Sequence, residues 1–256
     1  MSSLVHRLAL TDHQTALVLS DMHLSDEDPA LLALVTQWVD QQLQRQPSWL
    51  IMLGDLFDAW VGDDQATQSS AFTALVGCCE RAHKMGVAIG VMVGNRDFLL
   101  RDEALARLHA QGLGDPCEVH AGESKWLLMH GDTLCTSDRA YQDFREMVRS
   151  PKWQEDFLAK PLSERLAIAK GLRERSEHET MGKPMAITDV SQEAVNETLA
   201  SPDINGLIHG HTHRPGLYQS DNKKPRWVLP DWCPHSPRGG GLWIHSEGVE
   251  SLALSS

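Results

Sequence analysis

The sequence predicts an α/β fold interrupted by a helical insertion, and three observations predict it. Short apolar segments alternate with amphipathic helical ones through the first half. Five polar motifs, four of them beside a glycine, fall where an apolar segment ends. Over 138–183 the alternation gives way to aromatic and aliphatic residues set among cations. Alternation of this kind argues for a sheet containing parallel strands. A chain of 256 residues suits one domain, 1–256, with the insertion at 138–183 inside it, and leaves ample room for a core.

Each element follows from local pattern. Residues 15–20 (TALVLS) form a short apolar run that stops at Asp21. Residues 29–46 read as a helix, because Leu31, Leu34, Val35, Trp38, Val39 and Leu43 recur at helical spacing. Trp49–Leu53 (WLIML) is a strand before Gly54-Asp55, 71–85 a second helix, and 87–93 (VAIGVMV) a strand before Gly94-Asn95. Later strands are expected at 125–130, 204–209, 227–229, 242–245 and 249–254. From 139 to 183 there are ten Lys/Arg against eight Asp/Glu, while the chain as a whole carries −12. That segment predicts either a cap or a helical hairpin packed on the core.

Composition excludes several classes. A net-acidic chain lacks the basic footprint of a sequence-independent nucleic-acid binder, although metal ions can reverse the local field for an anionic substrate. The five cysteines (78, 79, 117, 135 and 233) include no C-x-x-C, so a disulfide framework is not expected and a reducing compartment fits. No run reaches the ~18 apolar residues of a membrane span. Asp12 and His13 interrupt any apolar leader, so no signal peptide is expected.

The motifs are Asp21-Met-His23, Gly54-Asp55-Leu-Phe-Asp58, Gly94-Asn95-Arg96-Asp97, His130-Gly131-Asp132 and Gly210-His211-Thr-His213. Ligand sites of α/β sheets lie beyond the carboxyl ends of strands, and a neighbouring glycine permits a sharp turn. Each motif alone is weak: a D-x-H is a common surface pair and Gly-Asp a common turn. Their candidate ligand positions together supply two carboxylates, one amide and four imidazoles, a set suited to Mn, Fe or Zn. We assign Asp21, His23, Asp55 and His213 to one ion and Asp55, Asn95, His130 and His211 to another. Asp55 is the expected bridge between ions roughly 3.5–4 Å apart.

These motifs resemble the calcineurin-like metallophosphoesterase superfamily. The longer strings GDLFDAWVGDD, GNRDFLL, MHGDTLCTSDRAYQDFR and LIHGHTHRP closely resemble its UDP-2,3-diacylglucosamine diphosphatase family, over about residues 17–232. The resemblance implies a four-layer α/β/β/α sandwich with a helical lid and two Mn²⁺ ions. It implies hydrolysis of the diphosphate of UDP-2,3-diacylglucosamine at the uridine-bearing phosphorus, giving UMP and 2,3-diacylglucosamine 1-phosphate, a step of lipid A biosynthesis. Substrate contacts of the family map onto Asn95, Arg96, Asp138, Ser176, Lys183 and His211, and onto Thr180, where the family usually has Asn. Nothing is assigned over 231–241, where the match is loose.

Many relatives carry histidine where this chain has Arg96. A guanidinium stays charged and cannot protonate a leaving group, but it can grip phosphate oxygens in a bidentate way. A phosphomonoester leaving group, with a second pKa of about 6, needs little acid assistance. Arg96 therefore favours a diphosphate, with Asn95, Arg96 and Asp55 as the expected catalytic residues. An Arg96 merely paired with Asp97 or Asp132 is the plainer alternative. Asp58, Asp97 and Asp132 either orient ligand histidines or shape turns, and His209 is structural or a support of the same kind. Phe98, Leu99 and Leu100 are either one wall of an acyl channel or core, and Trp60 is core or interfacial.

Cap cations would meet the diphosphate and anionic headgroups, so the chain is expected on the cytoplasmic side of the inner membrane as a peripheral protein. No nucleic acid and no obligate protein partner are expected. The rivals are another two-metal phosphoesterase on the same scaffold (a nucleotide or protein phosphatase) and a non-catalytic binding module.

Overall fold

The computed structural model describes residues 6–181, 185–236 and 238–254; for 176–181 and 185–186 it describes the backbone alone. In chain order the elements are β1 (His6–Leu10), β2 (Ala16–Leu19), α1 (Pro29–Leu43), β3 (Trp49–Leu53), α2 (Ser70–Lys84), β4 (Ala88–Met92), α3 (Asp102–Arg107), β5 (Ala110–Gly112), β6 (Cys117–Ala121) and β7 (Ser124–Met129). Then come α4 (Arg139–Arg149), α5 (Pro151–Leu158), α6 (Leu162–Met181), α7 (Met185–Thr188), α8 (Gln192–Thr198), β8 (Gly206–His209), β9 (Gly216–Gln219), β10 (Pro225–Val228), β11 (Gly240–His245) and β12 (Gly248–Ala253).

Among the described residues the strands form two six-stranded mixed sheets, ordered β1-β6-β7-β8-β10-β9 and β12-β11-β2-β3-β4-β5. Side chains of a strand alternate between faces, and that alternation builds the layers. Leu17, Leu19, Leu50, Met52, Ile89 and Val91 pack under α1 and α2. Their neighbours Ala16, Val18, Ile51, Leu53 and Met92 face the other sheet, meeting Val119, Leu128 and Ile208. On the outer face of that second sheet, Leu127, Met129 and Leu207 pack with Val195 and Leu199 at α8. The result is the four-layer α/β/β/α sandwich. At about 25 cal/mol per Å² of apolar surface, this double-sided burial is the main force holding β2 and β3.

The expected strands at the sheet centres are present. The sequence pattern did not expose β1, β5, β6 or β9. The first helix ends at Leu43, not at residue 46: Gln46 is left-handed (φ 55), and Pro47 disfavours helix before it. Trp60 is core, stacked among Phe57 and Phe72. Leu99 and Leu100 are core as well, and half-buried Phe98 lies against Trp153 of the insertion.

The 138–183 segment carries α4, α5 and α6. Asp138 caps α4 by accepting the Tyr141 N–H, and Ser150 caps α5. The segment is pinned to the core by Trp153, which stacks on Phe157 and meets Phe98 at a tilt. Buried Arg165 adds a polar pin, donating to the Val61 carbonyl at 2.5 Å and pairing with Asp64.

Candidate metal centre

The loops after β2, β3, β4, β7 and β8 carry Asp21 and His23, Asp55, Asn95, His130, and His211 and His213 respectively. The loop backbones pair with one another beyond the strand ends. The Asp21 N–H donates to Gly54 O at 3.1 Å, the His23 N–H to Asp55 O at 3.0 Å and the Gly210 N–H to His130 O at 2.9 Å. Five of the seven residues, Asp21, His23, Asp55, His211 and His213, have φ between 47° and 65°. Left-handed backbone is uncommon for residues other than glycine, although Asp and His adopt it more readily than most. It costs on the order of 1–3 kcal/mol per residue. The bonds between loops hold that strain in place. A Cβ at Gly94 would strike Asp55 Oδ1, and one at Gly210 would strike Asp21 Oδ2, so the carboxylates lie directly on glycine backbone.

The seven side chains fall into two groups with Asp55 between them. In one, His213 Nε2 lies 3.4 Å from Asp21 Oδ1 and 3.2 Å from His23 Nε2. In the other, Asn95 Oδ1 lies 3.0 Å from His130 Nε2 and 2.8 Å from His211 Nδ1. Asp55 offers Oδ2 toward His23 at 4.0 Å and Oδ1 toward His130 at 3.7 Å. Potential ligand atoms of Asp21, His23 and His213 lie within 4.8 Å of one another, as do those of Asp21, Asp55 and His130.

This arrangement suits cations. Two imidazole nitrogens 3.2 Å apart can share at most one proton, so a cation placed between them would be served by both lone pairs. His23 Nδ1 is buried without a hydrogen-bond partner, a state that costs on the order of 1–3 kcal/mol unless something satisfies it. Ionisation tells the same story. Burial pushes Asp55 up to about 6 against the pull of His130. Burial would lower His130, but the charges of Asp55, Asp132 and Asp21 overcome it and push His130 up to about 9. His211 is brought down to about 3 by burial and by His130. A proton on His130 thus stands where a divalent ion would bring positive charge.

The remaining expected residues separate by role. Arg96 is half-buried and pairs with neither Asp97 nor Asp132. Its Nη1 donates to Asp58 Oδ1 at 2.8 Å, and its Nε lies 3.7 Å from Asp55 Oδ2. Arg173 of α6 pairs with the same Asp58. Asp97 orients no histidine; it accepts the N–H groups of Gly94 (2.6 Å), Leu56 (2.6 Å) and Asp55 (3.3 Å), tying two ligand loops together. Asp58 and Asp132 likewise bind arginines, with no hydrogen bond to a ring nitrogen among the described contacts. His209 hydrogen-bonds Gly210 O and Arg226, a structural role. Of the expected substrate contacts, Asp138 sits at the α4 cap. The Ser176 and Thr180 side chains and all of Lys183 lie outside the described residues.

Two supporting residues escaped the motif reading. Ser20 donates to Asp21 Oδ2 at 2.5 Å. Buried Asp231 lies 3.7 Å from His213 Nδ1 and 2.9 Å from Arg238. Asp231 follows β10 by three residues, the same strand-end placement that marks the motifs.

Comparison with known proteins adds four findings. The family model described as calcineurin-like phosphoesterase matches residues 15–215. A UDP-2,3-diacylglucosamine hydrolase of Chromobacterium violaceum is 44% identical over 93% of this chain and 98% of its own. One of Bordetella pertussis is 41% identical over 92% and 93%. A dimetal phosphatase from Danio rerio shares the fold, with a TM-score of 0.53 at 14% identity, covering 96% of this chain and all of that one.

Proposed function

The chain belongs to the calcineurin-like phosphoesterase family, and from that membership we propose that it hydrolyses the diphosphate of UDP-2,3-diacylglucosamine to UMP and 2,3-diacylglucosamine 1-phosphate. It is a metal-dependent hydrolase of that family. The observation that carries the reading is the convergence of seven donor side chains with Asp55 at their centre, one carboxylate oxygen toward each group. The substrate is the one in the names of the relatives at 41% and 44% identity.

Asp21, His23, Asp55 and His213 would hold one divalent ion, and Asp55, Asn95, His130 and His211 the other. We take both to be Mn²⁺. Such a pair supplies Lewis acidity at phosphorus and a nucleophile at neutral pH.

The chain's own groups do the rest. Arg96, held by Asp58 beside Asp55, is placed to grip the diphosphate oxygens, and the fixed positive charge lowers the barrier as charge builds there. It donates no proton, and the departing sugar phosphate needs little help. Asp97 fixes the backbone of Asp55, and through Gly94 that of Asn95, so neither must reorganise during reaction. Asp138, Ser176, Thr180 and Lys183 would contact the nucleotide sugar from the cap side, with Asn95, Arg96 and His211 on the core side. Phe98 against Trp153 offers an apolar surface for acyl chains, each buried CH₂ being worth about 0.8 kcal/mol.

No helix among the described residues is long and apolar enough to cross a membrane. The acyl chains of the substrate and the cations of the cap support peripheral residence on the cytoplasmic face of the inner membrane.

Incubation with UDP-2,3-diacylglucosamine and Mn²⁺ tests the reading. Stoichiometric UMP and diacylglucosamine 1-phosphate are expected. Turnover of simple phosphoesters without UMP release would reject it in favour of another phosphoesterase.

A further inference from the structure

Asp132 is fully buried and directly follows His130-Gly131, yet it belongs to neither group of donors. The first helix of the cap converges on it. The Tyr141 hydroxyl donates to Asp132 Oδ2 at 3.0 Å, and Arg145 Nε donates to the same oxygen at 2.6 Å. Arg149 lies 3.7 Å away, and the Gln142 side chain donates to the Asp132 carbonyl at 2.8 Å. All four residues are on α4. The same helix reaches the other two loops of this group. Arg149 donates to Gly94 O at 2.8 Å, one residue before Asn95, and the Tyr141 ring sits 5.7 Å from the His211 ring, centroid to centroid.

One helix therefore touches the loops bearing Asn95, His130 and His211. The opposite group, Asp21, His23 and His213, is braced by Ser20, by the His211 N–H on the Asp21 carboxylate and by Asp231 with Arg238, with no α4 residue among its described contacts. A buried carboxylate stripped of its partners, or a guanidinium stripped of its carboxylate, is strongly destabilising, so α4 and the His130 loop hold each other in register.

We infer that Asp132 is a positioning residue that couples the seating of α4 to the geometry of Asn95, His130 and His211, so that the cap tunes one of the two ion sites and not the other. This rests on the two-ion reading above. By linkage, an ion in that site favours the seated cap as strongly as the seated cap favours the ion.

The test is a calorimetric titration of the metal-free full chain with Mn²⁺, with bound metal counted. Two binding steps are expected for the unaltered protein. Asp132→Asn should weaken one step by roughly ten- to a hundred-fold, the usual cost of losing an outer support of a metal ligand, and leave the other unchanged. Tyr141→Phe and Arg145→Gln keep the carboxylate and remove a cap partner; each should weaken the same step by less. These two decide the matter if Asp132→Asn does not fold. Equal weakening of both steps, or no change in any variant that folds, overturns the inference. A single ion bound by the unaltered chain would sink the two-ion reading and this one together. Two steps that survive the substitutions unchanged would sink this one alone.

Discussion

The two halves of the centre use similar donors but are anchored to different parts of the chain. Asp21, His23 and His213 receive no described contact from α4 and are held through the Ser20 hydroxyl, the His211 N–H and the Asp231–Arg238 pair. Asn95, His130 and His211 are fixed by the core on one side, where the His130 ring meets Leu53 O at 2.9 Å, and by α4 on the other. The first half is a property of the sandwich; the second answers to the cap as well. The centre thereby has one anchor independent of α4 and one that α4 shares.

Substitutions can break or sharpen this contrast. The largest effect is expected at Asp55, which serves both halves. Asp55→Ala should lower UMP release by two to three orders of magnitude or more, given what single preorganised groups contribute to such sites, and should reduce bound metal at both sites; normal turnover would show that Asp55 does not bridge. Chelation should abolish activity, and added Mn²⁺ should restore it.

Next comes Arg96, which belongs to neither half. Arg96→His should cut kcat/KM for the diphosphate by about a hundred-fold with metal content intact, and an undiminished rate would remove the argument for a guanidinium. Asp231→Asn probes the core-anchored half. It should weaken one Mn²⁺ step by about ten-fold, and that step should differ from the one Asp132→Asn affects.

The smallest effect is one of pH. An imidazole must shed its proton to bind a cation. His130 is pushed up to about 9 by its carboxylate neighbours in spite of burial, and His213, half-buried, is raised by its hydrogen bond to Asp21 in spite of desolvation. Metal binding should therefore release protons and tighten as pH rises toward 9, by at most about ten-fold per unit for each competing proton. His23 and His211, both lowered by burial, should add nothing to that slope. Calorimetry in buffers of different ionisation enthalpy would count the protons, and a flat profile would contradict the assignment of His130.

Much of this was legible in the residues, for a physical reason. Central strands buried on both faces are continuous apolar runs, so 15–20, 49–53 and 87–93 stood out, and the ligands stood out because each closes such a run. Strands with little buried surface gave no such signal. β9 is almost wholly exposed, β5 has three residues, and in β1 only Leu8 and Leu10 are buried. β6 alternates small buried residues with half-exposed polar ones. Supporting groups were harder. Asp97 and Asp132 sit in motifs, but their partners are backbone amides and side chains of a helix whose docking only tertiary packing decides, and Asp231 lies in a segment without a recognisable string. Sequence spacing shows which residues end a strand; which partner each then meets is decided by tertiary packing.

The short strand β2 has one further consequence. Its four residues are completely buried, with Leu17 and Leu19 in one core and Ala16 and Val18 in the other. A slip of one residue along β3 would exchange the two faces, forcing leucines into the gap between sheets that alanine and valine now fill, and would carry Asp21 and His23 out of step with Asp55. Hydrocarbon volume thus acts as a proofreader for the chelate: a misregistered chain is rejected by its interior before any cation has the chance to test it.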